Sequence, residues 1–369
     1  MNRRTFLRLL PAASLSSAQS QSQLKNLETQ IPTFLKSNNV PGLSLAVFKN
    51  SQIIWLQGFG VTDRASGAPV DSNTLFEAAS MSKPVFAYLV LKLCEQRTLS
   101  LDTPLTTYTS RRIIEGDPRI NRITARHILS HSSGLVPDWR SPDQPLRIAF
   151  NPGERWSYSG EGYCYLQSVI TDLIGHTDPK QCDQFEAGVK VCATDFGETM
   201  ESRVIKPLGM TSSGYTLNFK PAKRRARPHD ANGNPLPYGT SRATDLARYG
   251  AAGGLITTPA DYAKFLMQII DPKPQDDHHL SAASLREMTT PQIEVSKADD
   301  YTIAWGLGWR IARTPKRVYF GHDGANPGFQ CIAEACAADR SGFVLMTNSD
   351  NGMKVLEKLA PEISKRLHS

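Results

Sequence analysis

A serine and a lysine stand three residues apart in Phe76-Glu-Ala-Ala-Ser-Met-Ser-Lys83, just ahead of a long apolar run. If that run is a helix, Ser80 and Lys83 lie on one face near its positive end. A serine hydroxyl is a poor nucleophile until its proton has somewhere to go. Burial, or a second positive group nearby, lowers a lysine pKa and lets the amine take part in that transfer. The helix amino end can also direct the Ser80 N–H toward a developing oxyanion. Alone the spacing is unspecific, because a helix cap beside a surface lysine has the same letters.

Two further segments offer partners. Tyr158-Ser159-Gly160 follows Asn151-Pro-Gly-Glu-Arg-Trp156 and precedes a helical pattern. The phenolate of Tyr158 could accept the Ser80 proton with Lys83 stabilising its charge, return the proton to a leaving group, and then activate water. Its plainer role is half-buried packing. Gly321-His322-Asp323-Gly324-Ala325 ends a strand containing Val318, Tyr319 and Phe320. Its small residues let a substrate approach the backbone. His322 could orient an acyl group and tune Tyr158 and Lys83, while the Ala325 N–H is a second oxyanion donor. The plainer reading is a strand-to-turn transition with a hydrogen-bonded histidine. His127 and His131 are four apart but lack an acidic partner at a convincing interval, so no metal site is expected. No phosphate-cradling glycine loop is present, and no cofactor is expected.

The elements that must position these residues follow from periodicity. Residues 23–38 carry Leu24, Leu27, Ile31, Phe34 and Leu35 on one helical stripe. Leu43–Phe48 and Ile53–Phe59 read as a hairpin around Lys49-Asn-Ser-Gln52, which argues against a doubly wound parallel sheet. A helix runs from near Ser80 to about Arg97, with Pro84 early in it. Thr124–Leu129, Gly160–Leu173 and Ala187–Ile205 read as helices. Thr258, Pro259 and Asp261 form a helix start of the capping-box kind. Ile303–Ile311, Arg317–Phe320, Phe329–Glu334 and Phe343–Thr347 read as strands, and Met353–Leu367 as a closing helix with Pro361 as a kink. Residues 19–105 and 245–369 are expected to share one antiparallel sheet. Residues 106–244 are expected to form a mostly helical domain beside it, with a ligand cleft between the two.

The whole chain sets outer bounds. It has 369 residues, 40% hydrophobic and 21% charged, enough for a substantial core. No apolar run reaches membrane-spanning length. Asn2-Arg-Arg-Thr-Phe-Leu-Arg8 resembles the twin-arginine export signal of bacteria, and Ser16-Ser17-Ala18 suits small-residue cleavage. Residues 1–18 are therefore expected to be a signal peptide, with a periplasmic or secreted mature protein. Asn2 departs from the usual Ser or Thr, and Pro11 interrupts a short apolar region. Losing Arg3, Arg4 and Arg8 with no acid lowers the formal charge from +7 to +4. The one dense basic cluster, Lys223-Arg224-Arg225-Ala-Arg227, lacks interleaved aromatics, so nucleic acid is not an expected partner. A solvated loop fits it best. Of the six cysteines, Cys182 and Cys192 flank a polar loop that they could close. Cys331 and Cys336 would be about 16 Å apart on opposite faces of one strand. Cys94 and Cys164 read as buried thiols.

Taken together and in order, these motifs resemble the serine β-lactamase and penicillin-binding protein superfamily, most of all its class C β-lactamase, D,D-peptidase and esterase branch. Val40-Pro-Gly42, Ile123-Thr-Ala-Arg-His-Ile-Leu-Ser-His-Ser-Ser-Gly-Leu135, Pro207-Leu-Gly-Met210, Gly253-Gly254 and Trp305-Gly-Leu-Gly-Trp309 add to the likeness, which covers nearly the whole mature chain. The resemblance implies a mixed α/β (α+β), β-lactamase/transpeptidase-like fold: an antiparallel sheet flanked by helices, with an inserted mostly helical domain. It implies an acyl-enzyme on Ser80, proton handling by Lys83 and Tyr158, and an oxyanion site at the backbone of Ser80 and Ala325. Gly160, His322, Asp323 and Gly324 fall at substrate-contacting positions. Two departures bear on the substrate. Gly160 stands where the family tyrosine motif usually ends in asparagine, an amide that contacts acylamino groups. The loss of one such bond is worth roughly 0.5–1.5 kcal/mol. His322 replaces the lysine of typical class C β-lactamases, and its charge could vary near neutral pH. Small-molecule ester or amide hydrolysis is therefore the leading expectation, with β-lactam hydrolysis and D-alanyl-D-alanine or other peptidoglycan-peptide hydrolysis as alternatives. An inactive cell-wall-binding protein is the non-enzyme alternative. Oligomeric state is left open.

Overall fold

The computed structural model describes residues 24, 26–139, 141, 143–175, 187–215, 224–238, 243–274 and 276–368. Among them one sheet is built from β1 (Gly42–Lys49), β2 (Gln52–Gly60), β3 (Ile293–Ala298), β4 (Tyr301–Trp305), β5 (Arg310–Arg313), β6 (Val318–Asn326), β7 (Phe329–Cys336) and β8 (Ser341–Thr347). The α-helices are α1 (Ile31–Ser37), α2 (Ser82–Glu95), α3 (Ala125–Leu129), α4 (Gly160–Ile174), α5 (Ala187–Met200), α6 (Ala243–Gly253), α7 (Pro259–Ile270), α8 (Ala282–Met288) and α9 (Gly352–His368). Sheet order is β2-β1-β8-β7-β6-β5-β4-β3, antiparallel throughout. The fold is thus the expected antiparallel sheet with helices packed against it.

The two ends of the chain meet at the β1–β8 seam, where Leu43 faces Thr347 and Lys49 faces Ser341. Successive residues of a strand point to opposite faces, and both faces here are covered. Leu43, Leu45 and Val47 join Phe343 and Leu345 against α1 and α9. Ala46 and Phe48 join Val344 and Met346 in the larger core with α2 and α7. Burial on both faces is why β1 reads as an almost continuous apolar run. The start of α7 has the expected Thr258 cap, with the Asp261 N–H donating to Thr258 Oγ1 at 3.2 Å, but the Asp261 carboxylate does not close the expected box and accepts from the Ser212 N–H and Ser213 Oγ instead.

Several local expectations are corrected. Residues 303–311 are not one strand: Gly308, at φ +87°, turns the chain between β4 and β5. A left-handed backbone suits glycine and breaks a strand. β3 went unread because its outward face is polar and mostly exposed. The His322-Asp323-Gly324 segment does not end its strand; it lies inside β6, which continues to Asn326. However, β5 pairs only as far as Arg310 opposite Gly321, so residues 322–326 have a strand neighbour on the β7 side alone. Helix 187–205 divides into α5 and a π-helical turn, Glu201–Ile205. The basic cluster is not simply a solvated loop, because Arg225 pairs with buried Glu77 at 2.5 Å and its guanidinium lies 4.2 Å from the Tyr238 ring centre; Lys223 lies outside the described residues.

Cys192 is disulfide-bonded, and Cys182 lies outside the described residues, as does the 1–18 segment. Cys94, Cys164, Cys331 and Cys336 form no disulfide. Pro361 lies within α9. Among the described residues no helix is long and apolar enough to cross a membrane.

Candidate active site

Ser80 sits in a single 3₁₀ turn, Ala79–Met81, that feeds α2, rather than in the α-helix itself. Ala79 holds φ +46°, a left-handed conformation that costs a residue with a Cβ of order 1 kcal/mol. The surroundings hold the turn. Ser82 Oγ donates to Ala79 O at 2.6 Å and accepts from the Leu255 N–H at 3.0 Å. Tyr262 donates to Met81 O at 2.9 Å. The Cys331 thiol of β7 donates to Ala78 O at 3.1 Å.

One helical turn on, Lys83 is fully buried. Its Nζ donates to Ser80 Oγ at 3.0 Å and to Ala252 O at 2.8 Å. Burial pushes its pKa down to about 8, opposed by the negative charges of Asp138 and Asp323. At pH 7 about one lysine in ten then carries a neutral amine able to accept a proton. The same Nζ lies 5.0 Å from the Tyr158 ring centre.

Tyr158 is hydrogen-bonded to the Ser80 side chain, and burial raises its pKa above the usual phenol value. A phenol held that way keeps its proton at neutral pH. His131 fixes where Tyr158 stands. Its ring stacks on Tyr158 at 4.0 Å and 28°. Its carbonyl accepts from the Ser157 N–H at 2.7 Å and its Nδ1 from the Ser159 N–H at 3.1 Å. Both peptide neighbours of Tyr158 are thus tied to one residue. Burial, with the positive charge of Lys83 adding to the fall, holds His131 well below its ordinary pKa. His127 serves elsewhere, in a capping box with Thr124. Spacing alone had put the two histidines together only as metal candidates. The signal for His131 was its place in the His131-Ser-Ser-Gly134 stretch.

On the opposite wall, β6 runs beside the nucleophile turn. A Cβ on Gly324 would lie 2.5 Å from Ala78 O and 2.6 Å from Cys331 Sγ, so only glycine allows this approach. The far end of β6 is pinned by Asn326, which donates to Glu77 at 2.7 Å, the carboxylate that also holds Arg225. His322 is buried with its Nδ1 toward the Asp323 carbonyl. Burial lowers its pKa to about 4, with Asp323 opposing and Lys83 adding to the fall. The expected variation of charge near neutral pH is therefore corrected: His322 is neutral there.

Ser80, Tyr158, His322, Asp323 and Ala325 line one cavity of about 810 Å³, together with Asp138, Trp139, Trp156, Tyr249 and Trp305. That volume suits a drug-sized ligand. Gly160 and Gly324 are not on its surface: Gly324 lies under the nucleophile turn, and Gly160 under the Trp139 indole. Asp138 and Trp139 were not read from the sequence, because an Asp-Trp pair in a loop carries no periodic signal. A buried lysine amine, a hydroxyl within its reach and a phenol bonded to that hydroxyl constitute equipment for attack on a carbonyl carbon.

The β-lactamase family model matches residues 27–367. Penicillin-binding protein 4 of Amycolatopsis lactamdurans is 25% identical over 79% of this chain and 76% of its own length. Esterase EstB of Burkholderia gladioli is 24% identical over 62% of this chain and 61% of its own. Among solved structures, the octameric penicillin-binding protein homologue from Pyrococcus abyssi superposes with a TM-score of 0.73 at 21% identity, covering 94% of this chain and 78% of that one. With the match spanning nearly the whole described chain, this protein belongs to the β-lactamase family.

Proposed function

We propose that the protein is an exported serine hydrolase that works through an acyl-enzyme on Ser80. The neutral amine of Lys83 takes the Ser80 proton as Oγ bonds to the carbonyl carbon of an ester, amide or lactam. The carbonyl π electrons move onto oxygen, and the backbone N–H groups of Ser80 and Ala325 hold the resulting anion. Each such donor is worth roughly 2.7–4 kcal/mol of barrier. The Tyr158 hydroxyl passes the proton from Lys83 to the departing alcohol or amine as its bond to carbon breaks. Water, deprotonated along the same path, then releases the acyl group and regenerates Ser80. The observation that carries this reading is the 3.0 Å contact between the Ser80 hydroxyl and a fully buried lysine whose pKa is lowered to about 8.

Ester and general acyl hydrolysis is the activity that fits best. Gly160 supplies no amide to an acylamino group, and neutral His322 supplies no cation to a substrate carboxylate. Both gaps weigh against dedicated β-lactam hydrolysis and D-alanyl-D-alanine carboxypeptidase action, although relatives named for penicillin binding keep both in view. Twin-arginine export rests on the residue 1–18 pattern.

Intact mass after exposure to a fluorophosphonate tests the mechanism. Wild type should gain one adduct and Ser80→Ala none; equal labelling of the two would refute it. Turnover of short acyl esters, D-Ala-D-Ala peptides and a chromogenic cephalosporin on one preparation then ranks the substrates. Saturable binding with neither adduct nor turnover would favour the inactive cell-wall-binding alternative.

A further inference from the structure

The space that Gly160 leaves free is filled by the protein's own indole. A Cβ placed on Gly160 would lie 2.4, 2.5 and 2.8 Å from Cη2, Cζ2 and Cζ3 of Trp139. Any larger residue at position 160 would therefore evict Trp139 from where it stands. The ring is held from two sides. Its neighbour Asp138 accepts the Gly160 N–H with a carboxylate oxygen and the Glu161 N–H with its carbonyl at 2.9 Å. This ties the segment to the amino end of α4. Tyr249 of α6 meets the indole edge-on at 5.3 Å and 77°. Although built in this way, Trp139 stays 44% exposed, and its open side belongs to the cavity that holds Ser80. A large, flat, half-exposed aromatic wall beside a nucleophile costs apolar exposure unless a ligand covers it.

We propose that Trp139, seated by Gly160, is the specificity-determining residue of this site and selects acyl groups bearing an aryl or similarly broad apolar substituent. The inference rests on the acyl-serine reading. The alcohol half of an ester leaves after the first step, whereas the acyl half stays on Ser80 until water arrives. The wall beside Ser80 therefore sorts acyl groups through both steps. Offset or edge-on packing of an aryl group on an indole is worth enough to change a rate ratio several-fold.

The test compares kcat/KM for 4-nitrophenyl phenylacetate and 4-nitrophenyl acetate, which share one leaving group. Wild type should prefer the phenylacetyl ester. Trp139→Ala should cut that preference about tenfold, and Trp139→Phe should keep most of it. Gly160→Ala should lose it as Trp139→Ala does. The double variant should lose no more than either single change, since both act through one ring. An unchanged preference in Trp139→Ala would overturn the proposal, as would equal loss in Trp139→Phe and Trp139→Ala. Fluorophosphonate labelling of Ser80 in every variant separates this outcome from failure of the acyl-serine reading, which would abolish labelling in wild type as well.

Discussion

Replacing Lys83 with methionine should separate stability from activity. Lys83 is fully buried, and its pKa falls from 10.5 to about 8. A fall of that size corresponds to about 3 kcal/mol of preference for the neutral amine. Below about pH 8 both the folded and unfolded chains carry the proton, so the folded state bears the full cost of a buried ammonium. Between about 8 and 10.5 the folded protein releases its proton first. The unfolded chain then binds more protons, and stability rises with pH. Methionine has no proton to release. The stability of wild type minus that of Lys83→Met should therefore rise by about 2 kcal/mol from pH 7 to pH 9.5 and stay flat below pH 7. The unpaired Ala252 carbonyl left by the substitution adds an offset of about 1 kcal/mol that does not vary with pH. Urea unfolding with matched m-values reads the difference. Acylation should be lost in the variant. In wild type kcat/KM should climb about tenfold between pH 6 and 7 and level off above about 8. A difference in stability that stays flat to pH 9.5, or a variant that still acylates, would show that Lys83 is not the buried, depressed base described here.

Two other substitutions probe the supports. His131→Ala removes the ring stacked on Tyr158 and the acceptor of the Ser159 N–H; it should lower kcat at least tenfold with Ser80 still able to be labelled, a result checked by steady-state kinetics beside adduct mass. Gly324→Ala forces a Cβ against Ala78 O and Cys331 Sγ; it should destabilise the fold by about 1–3 kcal/mol and lower kcat, as read by thermal unfolding and turnover of an acyl ester.

The hairpin β1–β2 and the strands and helix at the carboxyl end were legible because alternation and the 3.6 period report burial directly. Helix starts were legible where a side chain does the capping, as at Thr258. What failed had no such local signal. β3 is too exposed to show an apolar run, and the β4–β5 break depends on the left-handed Gly308 inside a stretch that otherwise reads as strand. Arg225 looked like part of a solvated charge cluster because its partner, Glu77, is 148 residues away. The candidate nucleophile, lysine and tyrosine were legible because their residue types announce chemistry. Of the residues around them, His131 carried only the signal of its His131-Ser-Ser-Gly134 stretch, and Asp138 announces nothing until the chain is folded.

The sequence by itself determined which side chains could react and that they recur in the order of one family. Those facts are written in residue type and spacing. Only the tertiary structure decided that Lys83 is fully buried with a lowered pKa, that burial depresses His322, and that the Trp139 indole occupies the space beside Gly160. Each of these depends on desolvation or on atoms brought into contact from distant parts of the chain, and neither is encoded in any short window of sequence.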